Sequence, residues 1–157
     1  MFEVGEKVVY PLHGAGIIEA IEEKEVLGEK QKYYIMRIPN GSMKVMIPLN
    51  SEVGLRQVVD ESTIDEVLAV LQGQTSKMSS NWNKRYRANM DKIRSGDIFE
   101  VAEVVRNLAA RDHEKGLSTG ERKMLESAKQ ILFSEISLIK GLSMQEIEEY
   151  VASIFRD

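Results

Sequence analysis

Leu55-Arg56-Gln57-Val58-Val59-Asp60-Glu61-Ser62-Thr63-Ile64-Asp65-Glu66-Val67-Leu68-Ala69-Val70-Leu71 is where this chain changes period. Up to Val59 the apolar residues come in short runs closed by turn residues. After it they recur at helical spacing behind the overlapping capping signals Ser62-x-x-Asp65 and Thr63-x-x-Glu66. A switch from period 2 to period 3.6 near residue 60 predicts two small units of different class, residues 1–59 and residues 60–157.

Working back from that point, Lys7-Val8-Val9-Tyr10 reads as a strand closed by Pro11, and His13-Gly14-Ala15-Gly16 as a turn. Ile17 to Val26 reads as a second strand and Lys32 to Ile38 as a third, followed by the turn signal Pro39-Asn40-Gly41. Met43 to Ile47 and Leu55 to Val59 supply the last two. Five short strands with Gly/Pro turns predict a small SH3- or Tudor-like five-stranded β-barrel. Working forward, Gly73 stops the first helix, Ser80 or Asn81 caps the second, Asp97-x-x-Glu100 the third, Ser118-x-x-Glu121 the fourth and Ser143-x-x-Glu146 the fifth. Short connectors gather these into a compact five-helix domain. The fold class is therefore α+β.

Composition narrows the function. The chain of 157 residues is 43% hydrophobic and 29% charged, as globular proteins are. It has no apolar run near the ~18 residues needed to cross a bilayer, and no secretory start. A cytoplasmic protein without membrane contact is expected. With no cysteine, zinc-thiolate and thiolate chemistry are absent. Gly14-Ala15-Gly16 lacks the third glycine of a dinucleotide loop, and the two histidines, His13 and His113, stand in a turn and a charged helix end. An enzyme, a cofactor and a small-molecule substrate are not expected. The net charge of −4 hides a basic stretch: Lys77, Lys84, Arg85, Arg87, Lys92 and Arg94 face a single acid, Asp91. DNA feels the local patch, because charges beyond about 8 Å are screened.

Inside that stretch, Ser80-Asn81-Trp82-Asn83-Lys84-Arg85-Tyr86-Arg87 sets the only tryptophan at the first turn of a helix, one face shared with Tyr86. An aromatic beside cations can unstack a base step and clamp its phosphates. The plain alternative is a core Trp82 beside a solvated basic face. Its polar neighbours Ser80, Asn81 and Asn83 predict a largely exposed ring. Gly116-Leu117-Ser118-Thr119-Gly120-Glu121-Arg122-Lys123 is a second candidate, a helix N-terminus whose N–H groups can meet a phosphate, with Arg122 and Lys123 adding charge. An ordinary capping box is its alternative.

Val4-Gly5-Glu6-Lys7-Val8-Val9-Tyr10-Pro11-Leu12-His13-Gly14, Asn81-Trp82-x-Lys84-Arg85-Tyr86, Val101-Ala102-Glu103-Val104-Val105-Arg106 and Gly116-Leu117-Ser118-x-Gly120-Glu121 together resemble the CarD/CdnL family. The basic tail of the longer myxobacterial form has no counterpart, so the short CdnL-like form is expected. The resemblance implies a bacterial regulator whose Tudor-like module, similar to that of the repair-coupling factor Mfd, docks on the β1 lobe of the RNA polymerase β subunit. It implies a helical domain that meets promoter DNA at the upstream edge of the bubble, with little sequence preference, and stabilises the open complex. On that basis Trp82 matches the wedge, and Lys84, Arg85, Arg87 and Arg122 match basic positions near the DNA backbone; Lys123, from its place at the helix N-terminus, is expected to join them. Lys24 and Val26 would face polymerase, as would Met46, which stands where some members carry an arginine. A protein-interaction adaptor, whose helical half binds another protein, is the rival class.

Overall fold

The computed structural model describes residues 1–39, 43–51 and 54–154. Strands β1 (Lys7–Tyr10), β2 (Gly14–Val26), β3 (Glu29–Arg37), β4 (Lys44–Pro48) and β5 (Arg56–Gln57) form one antiparallel sheet in the order β4-β3-β2-β1-β5. Its concave face collects Val8, Ile18, Tyr34, Met36, Ile38 and Ile47. The expected closed barrel is corrected here. Edge strands β4 and β5 do not pair with each other among the described residues, so the sheet stays open. The reason lies partly in β5, where Leu55–Val59 yields only two paired residues instead of a full strand.

Gly14-Ala15-Gly16 is not the turn. It opens β2, with Gly14 opposite Tyr10 and Gly16 opposite Val8, and the chain reverses through Pro11–His13. The glycine at 14 is required there by φ +120° and by the approach of a helix: a Cβ would stand 3.2 Å from the Ile131 Cα. Asn40 and Gly41 of the expected turn lie outside the described residues.

Helices α1 (Glu61–Gln72), α2 (Trp82–Arg94), α3 (Ile98–Lys115), α4 (Thr119–Lys140) and α5 (Met144–Ile154) follow. Asn81, Asp97 and Ser118 accept the first backbone bonds of α2, α3 and α4, and Ser143 and Glu146 close a reciprocal capping box on α5. For α1 the cap is Asp60, two residues ahead of the predicted serine, because its carboxylate accepts both the N–H and the hydroxyl of Thr63. The second core is helical, built from Ile64, Val67, Val105, Leu108, Leu132 and Ile136 among others.

Helix α4 joins the halves. Ser134 Oγ accepts the Ala15 N–H at 2.8 Å. Arg56 donates two bonds to Glu135, 2.8 and 2.7 Å long, and a third bond runs to the Gly96 carbonyl. Glu135 is 1% exposed and also takes the Val59 N–H at 2.9 Å. A buried carboxylate is tolerated because every one of these donors reaches it.

Candidate nucleic-acid interface

The nine-residue connector before α2, residues 73–81, is irregular, yet two buried arginines hold it. Arg106 bonds to the Val70 carbonyl and the Ser76 hydroxyl, at 3.1 and 2.8 Å. Arg85 bonds to the Ser79 carbonyl at 3.1 Å. This fixes Asn81, whose side chain caps α2, and so sets Trp82 at the first helical position.

Trp82 is then held on three sides. Its ring stacks on Tyr86 with centroids 4.9 Å apart and planes 18° from parallel, the i, i+4 pairing read from the sequence. Its indole N–H donates to the Ser118 hydroxyl at 3.1 Å. The α4 backbone at Gly120 packs under the ring, where an added Cβ would lie 3.4 Å from Cζ2, in ordinary van der Waals contact. The ring keeps 41% of its surface exposed. That is less free than its polar sequence neighbours predicted, and far from a core position.

Ser118 has two roles. Its oxygen caps α4 by accepting the Glu121 N–H at 3.2 Å, and the same oxygen receives the indole. The two stretches that the sequence offered as separate candidates thus form one site, where the first turns of α2 and α4 meet. Lys84 and Arg87 on the first two turns of α2, and Arg122 and Lys123 on the first two of α4, are exposed. Arg122 has a distant acid neighbour, Asp112 at 3.8 Å, and a long contact to the Leu117 carbonyl.

Arg85 is corrected. It was expected near the DNA backbone, but it is 3% exposed and its fork closes on Glu121, Nε to Oε2 at 2.7 Å and Nη2 to Oε1 at 3.0 Å. With four of its five N–H donors spent on the Glu121 carboxylate and the Ser79 and Ser80 carbonyls, a guanidinium this buried is not placed to meet a phosphate. These hydrogen bonds hold the Glu121 carboxyl below the usual carboxylate range, against the opposing effect of burial. The Arg85 guanidinium is raised by the same bonds. Sequence reasoning assigned Glu121 only to the capping box; 36 residues separate the partners, and no local pattern announces such a pair. Ser118 and Gly120 as supports of Trp82 were missed for the same reason.

At the other end, the pairing register places the three expected polymerase-facing residues on one face of the sheet. Met46 lies opposite Ile35 and Ile35 opposite Ala20. Alternation then carries Glu22, Lys24 and Val26 to that same convex side. Val26 and Met46 are about half exposed, and Lys24 pairs loosely with Glu22 at 3.6 Å. Among the described residues, no helix is long and apolar enough to cross a membrane.

Comparison with known proteins adds family. Residues 2–59 match the CarD-like/TRCF RID domain and residues 66–152 the CarD C-terminal domain. A Bacillus subtilis (strain 168) protein named "Putative transcription factor YdeB" is 44% identical over 152 residues, which span 96% of this chain and 99% of that protein. A solved chain, CdnLNt from Myxococcus xanthus, is 43% identical, covers 39% of this chain and 89% of its own, and superposes with a TM-score of 0.34.

Proposed function

The chain belongs to the CarD family, and from that premise we propose that it regulates transcription from two surfaces. Residues 1–59 form a docking domain for the β1 lobe of the RNA polymerase β subunit, the open sheet standing as a variant of the SH3/Tudor-like barrel. Lys24, Val26 and Met46 contribute its docking face. Residues 60–157 form a DNA-binding domain that meets the upstream edge of the transcription bubble and stabilises the open complex, in the cytoplasm, without catalysis of its own.

The observation that carries the reading is the clamped, part-exposed indole of Trp82 on helix ends that also carry the exposed cations Lys84, Arg87, Arg122 and Lys123. A rigid aromatic flanked by positive charge suits an unpaired fork, where a base offers its face and phosphates crowd together. If the ring fits the opened fork and not closed duplex, it shifts the closed-to-open equilibrium by the difference in the two affinities. Docking on polymerase raises the local concentration of a weak DNA binder, so little base readout is needed.

The test is the lifetime of polymerase–promoter complexes challenged with competitor DNA. Full-length chain is expected to prolong it, and Lys24→Glu, by reversing a charge on the docking face, to weaken both the effect and polymerase binding. A chain that binds polymerase yet leaves the lifetime unchanged and binds no forked DNA is an adaptor. The cations make a separate claim. Arg87→Ala and Arg122→Ala are each expected to weaken DNA binding alike on all sequences and to lower the slope of log affinity against log salt by up to ~0.9. A loss confined to particular sequences, with the slope intact, means base readout instead.

A further inference from the structure

The β2–β3 hairpin runs past the rest of the sheet. β1 pairs with β2 only as far as Ile17 and β4 with β3 only as far as Tyr33. The Leu49 N–H still reaches the Lys32 carbonyl at 3.1 Å; beyond it, among the described residues, the backbones of Lys24–Val26 and Glu29–Gln31 pair only with each other. Leu27 and Gly28 close this arm at φ +53° and +82°.

A two-residue turn with both central residues in the left-handed region is one that asparagine and glycine fill without strain. Leucine there costs about 1–2 kcal/mol, and Leu27 is the only non-glycine residue with positive φ among the described residues. Packing does not offset this, since the side chain is 99% exposed. Its neighbour Val26 is 48% exposed. A single exposed leucine on a surface needs no explanation. A strained one at the tip of an unsupported arm, next to a second apolar residue, is explained by neither fold nor solubility.

We propose that Leu27, with Val26, is an apolar anchor that inserts into a depression on the polymerase β subunit. The proposal rests on the docking reading above and names the residue that carries most of its apolar contact. Two observations select this occupant. Val26 and Lys24 already share the convex face with Met46, so the tip continues the docking face. The flanks Glu22, Glu23, Glu25 and Glu29 are repelled by an anionic lipid surface, whereas a protein surface can match alternating acids and bases around a dry centre.

Leu27→Asn in the full-length chain tests it, because asparagine removes the apolar group while accepting the left-handed backbone. Affinity for purified core polymerase is expected to fall roughly tenfold or more, the scale of one leucine's burial, while the melting temperature holds or rises. Leu27→Met, which keeps an apolar chain, should retain most of the affinity. Unchanged affinity of Leu27→Asn, with Lys24→Glu still weakening binding, overturns the anchor and leaves the docking face standing. Absence of polymerase binding by the unaltered chain overturns both.

Discussion

Glu121→Ala is expected to lower the stability of the chain by about 3–5 kcal/mol, because it leaves the Arg85 charge buried without its partner. For a chain of this size each kcal/mol moves the melting temperature by roughly 2–4 °C, so the loss should exceed 6 °C. Replacing both members together, Arg85→Met with Glu121→Leu, should recover most of it, since a well-packed apolar pair avoids the desolvation of two ions. The pH dependence follows from the depressed carboxyl. Its folded-state pKa lies below the unfolded value near 4.5. The stabilisation is therefore complete above about that pH and is lost as pH falls through the folded value. Acid titration of Glu121→Gln should show a shallower fall in stability across that window than the unaltered chain. A melting temperature of Glu121→Ala within a degree or so of the original would mean the pair does not close in solution.

Trp82→Ala is expected to reduce the preference for forked over closed promoter DNA by roughly 5- to 150-fold, from a stacking contribution of about 1–3 kcal/mol. Open-complex lifetime should fall with it, and polymerase binding should not change. The fold should lose the Tyr86 stack, about 0.5–1.5 kcal/mol, and the Ser118 bond, about 0.5–1.5 kcal/mol, and little else, because much of the residue already faces solvent. Truncating a fully buried tryptophan typically costs about 3–5 kcal/mol. A stability loss of that larger size, with the DNA preference unaltered, would make Trp82 a packing residue. Trp82→Phe separates the two supports of the ring, since it keeps a stacking face but forfeits the bond to Ser118.

The helical half was legible because its boundaries are written in local chemistry. Asn81, Asp97, Ser118 and Ser143 each sit just ahead of an apolar stripe, and Gly73 and Gly116 close two helices behind one. The strands were legible in number, with Gly14–Gly16 misread because glycines that look like a turn serve close approaches instead, Gly14 to α4 and Gly16 to the Arg37 carbonyl of β3. The site was legible where its logic is local: the Trp82–Tyr86 face and the cations on the same turns. It was opaque where its logic is long-range. Nothing in the neighbourhood of Arg85 distinguishes it from Arg87, yet one is locked to Glu121 while the other is exposed, a difference made by the packing of α4 against α2.

The bonds from Ser134 and Glu135 to Ala15, Arg56 and Val59 have a metrical consequence. They brace the sheet that carries Lys24 against the helix whose first turn supports Trp82, which favours a set reach over a range of reaches. The double helix turns once in about 10–10.5 base pairs, so a displacement of one base pair rotates the groove by roughly 34° away from a wedge of fixed bearing. Under the proposed function, a promoter would then be distinguished by how far, and at what rotational phase, its fork lies from the polymerase surface. Sequence would enter through the ease with which the DNA twists to meet that phase, and the protein would act as a gauge of position that never needs to read a base.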